Sequence, residues 1–229
     1  MNTFVVLHMQ PRLLSLVLTL FLISNIDVRC QSDAAFENDM GVRYLLGEGV
    51  PRSASEAFRL FEQAASKGYI LAYNNLGNCY YSGEGVPQNY LQACHWYYEG
   101  AQSGNAICQC SLGECYYFGR GVSKDYVQAV YWFEQSARQG YAPGEFNLGV
   151  CYNKGHGVEK DMRVAIYWLD KSSRQGYAKA QYEYGNCYKL GVGVEKDMEK
   201  ASYWWERASN QGHVKARESL ETYSHSQSE

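Results

Sequence analysis

The sequence predicts an all-α protein in which paired helices stack one after another into a solenoid. Three observations predict it. Gly-x-Gly-Val begins at Gly47, Gly83, Gly119, Gly155 and Gly191, five times at an unbroken interval of thirty-six residues. Other marks keep the same step: glycines at Gly68, Gly104, Gly140, Gly176 and Gly212 and at Gly41, Gly77, Gly113, Gly149 and Gly185, and alanines at Ala57, Ala93, Ala129, Ala165 and Ala201. Between them the apolar residues have helical spacing, with Ala72, Leu76, Cys79 and Tyr80 on one face and Ala93, Trp96, Tyr97, Gly100 and Ala101 on the next. A unit this small cannot bury its apolar face alone, so neighbouring copies must cover one another.

The order of segments follows. Residues 1–30 read as a secretory signal: Arg12 precedes the apolar run from Leu13 to Ile23, and Val28-Arg29-Cys30 offers a cleavage site. The run is short for a bilayer, which needs roughly 20 apolar residues. An uncleaved anchor is the alternative, because Phe4-Val5-Val6-Leu7 extends the apolar character upstream. Repeats then occupy 34–69, 70–105, 106–141, 142–177 and 178–213, and 214–229 forms a closing helix from Val214 to Tyr223 with a frayed tail from Ser224.

Within each repeat the first helix ends at the Gly-x-Gly loop, where glycine supplies the positive φ that reverses the chain. Ser53, Asn89, Asp125, Asp161 and Asp197 then stand where the second helix needs an N-cap, and Glu56, Gln92 and Gln128 follow the first three at capping-box spacing. Lys67-Gly68-Tyr69 and its copies end the second helix with so short a link that the next helix must run antiparallel. Helices of 12 or 13 residues are marginal alone, so stacking supplies their stability. Gly77 and its equivalents lie beside the apolar face, where a missing side chain admits the adjoining helix.

Composition narrows the function. The 229 residues are 46% hydrophobic and 20% charged with a formal net charge of -3, signs interspersed. That gives no basic field for nucleic acid and no polybasic segment for anionic lipid. No Cys-x-x-Cys, His-x-x-x-His, phosphate loop or Gly-x-Ser-x-Gly occurs, so no metal, cofactor or catalytic constellation is expected.

The face of each first helix opposite the apolar one is read as free of packing duty and therefore open to a partner. It carries Asn74, Asn78 and Tyr81; Glu114 and Tyr117; Phe146, Asn147 and Asn153; and Tyr182, Glu183, Asn186 and Lys189. Asparagine amides can bond an extended backbone and tyrosine offers contact area at low entropy cost, which fits a protein or peptide ligand. The columns Trp96, Trp132, Trp168, Trp204 and Tyr80, Tyr116, Tyr152, Tyr188 have core spacing instead, with their polar tips expected on neighbouring carbonyls.

Eight cysteines are present. Cys79, Cys115, Cys151 and Cys187 are thirty-six apart and read as buried, reduced core residues. Cys79 and Cys94 are nearly equidistant from their loop, so that pair is a possible disulfide. Cleavage after Cys30 leaves an odd number, and Cys110 is the candidate free thiol for an intermolecular disulfide.

Ala72, Leu76-Gly77, Tyr80, Gly83-Glu84-Gly85-Val86, Asn89, Ala93 and Trp96-Tyr97, repeated five times, resemble the Sel1-like repeat, a relative of the tetratricopeptide repeat, whose own step is 34 residues and which lacks the long Gly-x-Gly-Val loop. The resemblance implies a right-handed α-solenoid whose first helices line a concave face, and a binding scaffold or adaptor of the secretory pathway or extracellular space. It also supplies a rival enzyme reading, since cysteine-rich bacterial members are described as β-lactamases or penicillin-binding proteins. Their cysteine pattern survives here only as Cys108.

Overall fold

The structure, a computed structural model, describes residues 31–227; the expected signal at 1–30 lies outside them. Among the described residues there are eleven helices and no strand. Helix α1 spans 31–46, followed by α2 (Ala54–Ser66), α3 (Ile70–Ser82), α4 (Tyr90–Gln102), α5 (Ala106–Phe118), α6 (Tyr126–Arg138), α7 (Ala142–Lys154), α8 (Met162–Arg174), α9 (Ala178–Leu190), α10 (Met198–Ser209) and α11 (Val214–Gln227). Each helix packs on the one before and the one after it, and the first helices α3, α5 and α7 also touch one another. This is the α-solenoid that the thirty-six-residue step demands. The last helix continues to Gln227, beyond the Tyr223 expected from sequence, and Ser224 Oγ bonds the Leu220 carbonyl at 2.8 Å inside it. Among the described residues no helix is long and apolar enough to cross a membrane.

The loop chemistry repeats as faithfully as the sequence. Helices α3, α5, α7 and α9 each end on a left-handed glycine, Gly83, Gly119, Gly155 and Gly191, at φ 77, 71, 70 and 70°. The side chains of Ser53, Asn89, Asp125, Asp161 and Asp197 accept from the first-turn N–H groups of the second helices. The capping box is only half made. Each cap residue's own N–H already bonds a tyrosine carbonyl of the preceding helix, from Tyr44, Tyr80, Tyr116, Tyr152 and Tyr188 at 2.8–3.1 Å. Glu56 turns to Arg59 instead.

Two glycine positions set the packing. The one inside the first helix admits the second: a Cβ on Gly113 would stand 2.6 Å from the Phe133 ring, and one on Gly185 2.7 Å from Trp205. The second glycine of the loop joins one repeat to the one before. A Cβ on Gly85, Gly121 or Gly157 would strike the backbone carbonyl of Ala54, Tyr90 or Tyr126. The residue between the two loop glycines then makes a different contact at each joint. Glu84 pairs with Arg52; the Arg120 guanidinium lies over the Tyr81 and Tyr90 rings at 5.4 and 6.0 Å; His156 stacks on Tyr126 at 4.3 Å and bonds the Tyr117 hydroxyl at 2.9 Å. Sequence reading leaves His156 without a role, and the structure builds it into a joint.

Core identity also differs in one respect from expectation. The fully buried column of the second helices is Phe61, Tyr97, Phe133, Leu169 and Trp205, one residue after the tryptophans named from sequence. Of those tryptophans only Trp132 is buried; Trp96, Trp168 and Trp204 are half-buried, and Trp96 Nε1 has no hydrogen-bond partner. The slot opposite the first-helix glycine takes Phe61, Tyr97, Phe133 or Leu169, and a tryptophan only at Trp205.

A polar ladder runs through the stack. Gln139 Nε2 donates to Gln109 Oε1, and Gln211 Nε2 to Gln181 Oε1, both at 2.8 Å, while the two acceptor residues donate to the Ala101 and Ser173 carbonyls. In the fourth repeat this position is Glu145, fully buried, holding Gln175 Nε2 at 2.6 Å with Lys171 Nζ 3.5 Å away. Burial raises its carboxyl above the ordinary range, and Lys171 opposes the shift without cancelling it. The folded chain therefore binds a proton here more tightly than the unfolded chain, so stability falls as pH rises from the ordinary carboxylate value through the raised one. Glu145→Gln restores the ladder, with its amide aimed at the Ala137 carbonyl. We expect it to stabilise the protein by about 1 kcal/mol at neutral pH, with the gain vanishing below about pH 4. Thermal melts of both proteins across pH 3.5–8 check this; a gain of the same size at both ends would remove the proton from the explanation.

Candidate functional site

The twelve residues expected on the open face divide into a site and a frame. Glu114, Tyr117, Phe146, Asn147, Asn153 and Glu183, from α5, α7 and α9, come together around one cavity of about 330 Å³. Helical register explains the convergence. Glu114 and Val150 are equivalent positions on successive first helices, and Tyr117 and Asn153 are another such pair, so the stack lays them side by side. Phe118, Phe146 and Val150 give the cavity apolar walls, and Phe133, Leu169 and Cys187 reach it from beneath. Its polar groups are few and placed. Asn147 Nδ2 donates to Glu114 Oε1 at 3.1 Å and to Cys110 Sγ at 3.4 Å. Lys154 stands at the margin. Among the described residues Glu114, Glu183 and Lys154 have no ion-pair partner.

Phe146 and Glu183 also line a second cavity of about 330 Å³ between α7, α9 and α11, with Lys179, Tyr182, His213, Val214 and Lys215. Tyr182 stacks on His213 there at 4.7 Å. Seven of the twelve residues thus line a groove of two adjoining cavities from the third repeat to the closing helix.

Four of the other five make contacts within the fold, which corrects the premise that this face has no packing duty. Asn78 Oδ1 accepts from the Tyr97 hydroxyl at 2.7 Å, and Asn186 Oδ1 from Trp205 Nε1 at 3.2 Å. Both asparagines satisfy the polar tip of a buried aromatic, as such tips require. Asn74 is half-buried with its Oδ1 buried and unbonded. Tyr81 lies edge-on to Tyr90 beneath Arg120 in a joint. Lys189 Nζ sits 5.6 Å over the Trp205 ring.

Phe118, Val150 and Lys154 are groove residues that sequence reading missed. Val150 shares a column with Asn78, Glu114 and Asn186, and the column itself was the available signal; choosing polar residues from it discarded the apolar wall.

The seven described cysteines are all free thiols and all buried. Cys79 and Cys94 belong to different core clusters, and the Cys94 thiol bonds the Arg120 carbonyl at 2.9 Å; the structure does not bring that pair together. Cys110 is 4% exposed and burial pushes its thiol up to about 12, which unsuits it to an intermolecular bridge. Cys108 is fully buried against Gly100, and burial likewise pushes its thiol up to about 12.

The comparisons with known proteins agree with the repeat fold. The Sel1 repeat profile matches five consecutive segments, 34–69, 70–105, 106–141, 142–177 and 178–213. A Sel1 repeat protein from Oxalobacter formigenes is 33% identical over 80% of this chain and 75% of its own, with a TM-score of 0.75. A protective antigen of uropathogenic Escherichia coli strains displaying an SLR fold is 32% identical, with a TM-score of 0.73; the match covers 86% of this chain and 42% of that protein. An immunity protein of Pseudomonas aeruginosa, 23% identical over 80% of this chain and 67% of its own, shares the fold with a TM-score of 0.60. No curated protein matches the chain.

Proposed function

The chain belongs to the Sel1 repeat family, whose members are generally protein-interaction scaffolds, and from that premise we propose that it is a non-enzymatic scaffold holding a peptide or protein segment in the groove over α5, α7, α9 and α11. One observation carries the reading. Three successive first helices converge on a cavity with apolar walls and two carboxylates, Glu114 and Glu183, that have no ion-pair partner among the described residues. Such a site selects by filling an apolar pocket and pairing a few placed polar groups. The partner is a segment with an aromatic or branched side chain for the space between Phe118, Phe146 and Val150, and a Lys or Arg beside it for Glu114 and Glu183. The Arg12-led apolar run of residues 1–30 supports placing this activity in the secretory pathway or outside the cell.

Selection from a random heptapeptide display library tests the reading. Wild-type protein should enrich a motif pairing a large apolar residue with a base. The Glu114→Gln, Glu183→Gln double variant should lose the basic preference and bind the selected peptides about tenfold more weakly. No enriched motif, or the same basic motif on the double variant, would refute the assignment.

A further inference from the structure

The charge of the groove changes along its length. The second position of the first helices, read at the thirty-six-residue step, runs Leu71, Ile107, Pro143, Lys179 and, in the closing helix, Lys215. Three neutral residues are followed by two bases. Equivalent positions on successive helices lie side by side in the stack, and both ammonium side chains line the cavity between α7, α9 and α11. Both residues are exposed, and among the described residues neither forms an ion pair. His213 adds a third donor to the same cavity. The Ala216 N–H is directed at its Nδ1 at 3.2 Å, which leaves the proton of the neutral imidazole on Nε2. Tyr182 stacks on the ring at 4.7 Å and holds it at the cavity wall. The charged acceptor there, Glu183, stands at the seam with the first cavity.

We infer that this second cavity takes an acidic side chain, an Asp or Glu of the same segment whose base pairs with Glu114 and Glu183. The inference rests on the groove reading above and adds a second charge and a direction to it. A carboxylate only accepts, and its two oxygens have lone pairs enough for Lys179, Lys215 and His213 together. A basic side chain would bring a further cation beside two lysines, and that juxtaposition is repulsive. The groove is therefore dipolar, with Glu114 at the α5 end and Lys215 at the α11 end. A partner reading base then acid in the matching order seats in one direction, and the reversed order sets like charges against each other at both ends.

The heptapeptide selection carries the test. Peptides enriched on the wild-type chain should place Asp or Glu at a constant spacing and on a constant side of the basic residue. The Lys179→Gln, Lys215→Gln double variant changes two exposed side chains. It should lose the acidic preference, keep the apolar and basic ones, and bind the selected peptides about tenfold more weakly. A basic-apolar motif without an acidic position, or an acidic preference that survives in the double variant, would overturn this inference and leave the groove reading standing. Titration of the full chain with small probes, followed by NMR at the His213 imidazole, decides the matter even if no motif is enriched. The N-acetyl α-amide of glutamic acid should shift the ring signals to saturation in the wild-type chain and not in the double variant, and the corresponding glutamine compound should leave them in place. Equal shifts from the two compounds would overturn the inference. So would a stronger shift from N-acetylglycine, whose one carboxylate is a chain end and would assign the cavity to a C-terminus instead.

Discussion

Gly121→Ala will destabilise the protein by about 3 kcal/mol, more than a methyl group on a surface loop should. Gly121 lies at φ +75°, and its Cβ would strike the Tyr90 carbonyl of the preceding repeat. Backbone cannot rotate away as a side chain can, so the two repeats must part. Gly104 provides the control. Its φ is +82°, but a Cβ there meets nothing within 4 Å, so Gly104→Ala should cost about 1 kcal/mol for backbone conformation alone. Urea melts of the three proteins give the comparison. Equal losses for the two variants would show that the loop glycine matters for its dihedral and not for seating one repeat on the next.

A larger loss is expected in the last repeat, where two adjacent tryptophans differ in what surrounds them. Trp205 is 1% exposed, fills the space beside Gly185 and donates to Asn186. Trp205→Ala removes that volume and the hydrogen bond together and should cost about 4 kcal/mol. Trp204 is half-buried and lies tilted against the Tyr184 ring at 5.4 Å between centroids. Its truncation should cost about 2 kcal/mol or less. The difference falls on the final hairpin, so amide exchange in α9, α10 and α11 should accelerate before the rest of the stack responds. Should Trp204→Ala prove the more damaging, the buried column has been assigned one residue out of register.

Sequence alone carries the fold a long way here because its signals are local. A left-handed glycine, an N-cap and a short link are each written within a few residues, and the step repeats them five times. The buried column was misplaced because a tryptophan is the more conspicuous residue, while the slot opposite Gly77 or Gly113 is set by how closely two helices approach. That is a tertiary quantity with no local signature. The groove was half legible for the same reason. Periodicity placed Glu114, Phe146 and Glu183 on one face, but only packing reveals that Asn78 and Asn186 are already engaged by Tyr97 and Trp205.

The direct test of the central claim is where a selected basic-aromatic peptide sits. With Phe146→p-benzoylphenylalanine, on α7 inside the groove, irradiation should cross-link the peptide to the protein. With Tyr167→p-benzoylphenylalanine, on α8 at a position 55% exposed, it should not. Capture from position 167 and none from position 146 would contradict a binding groove along the first helices.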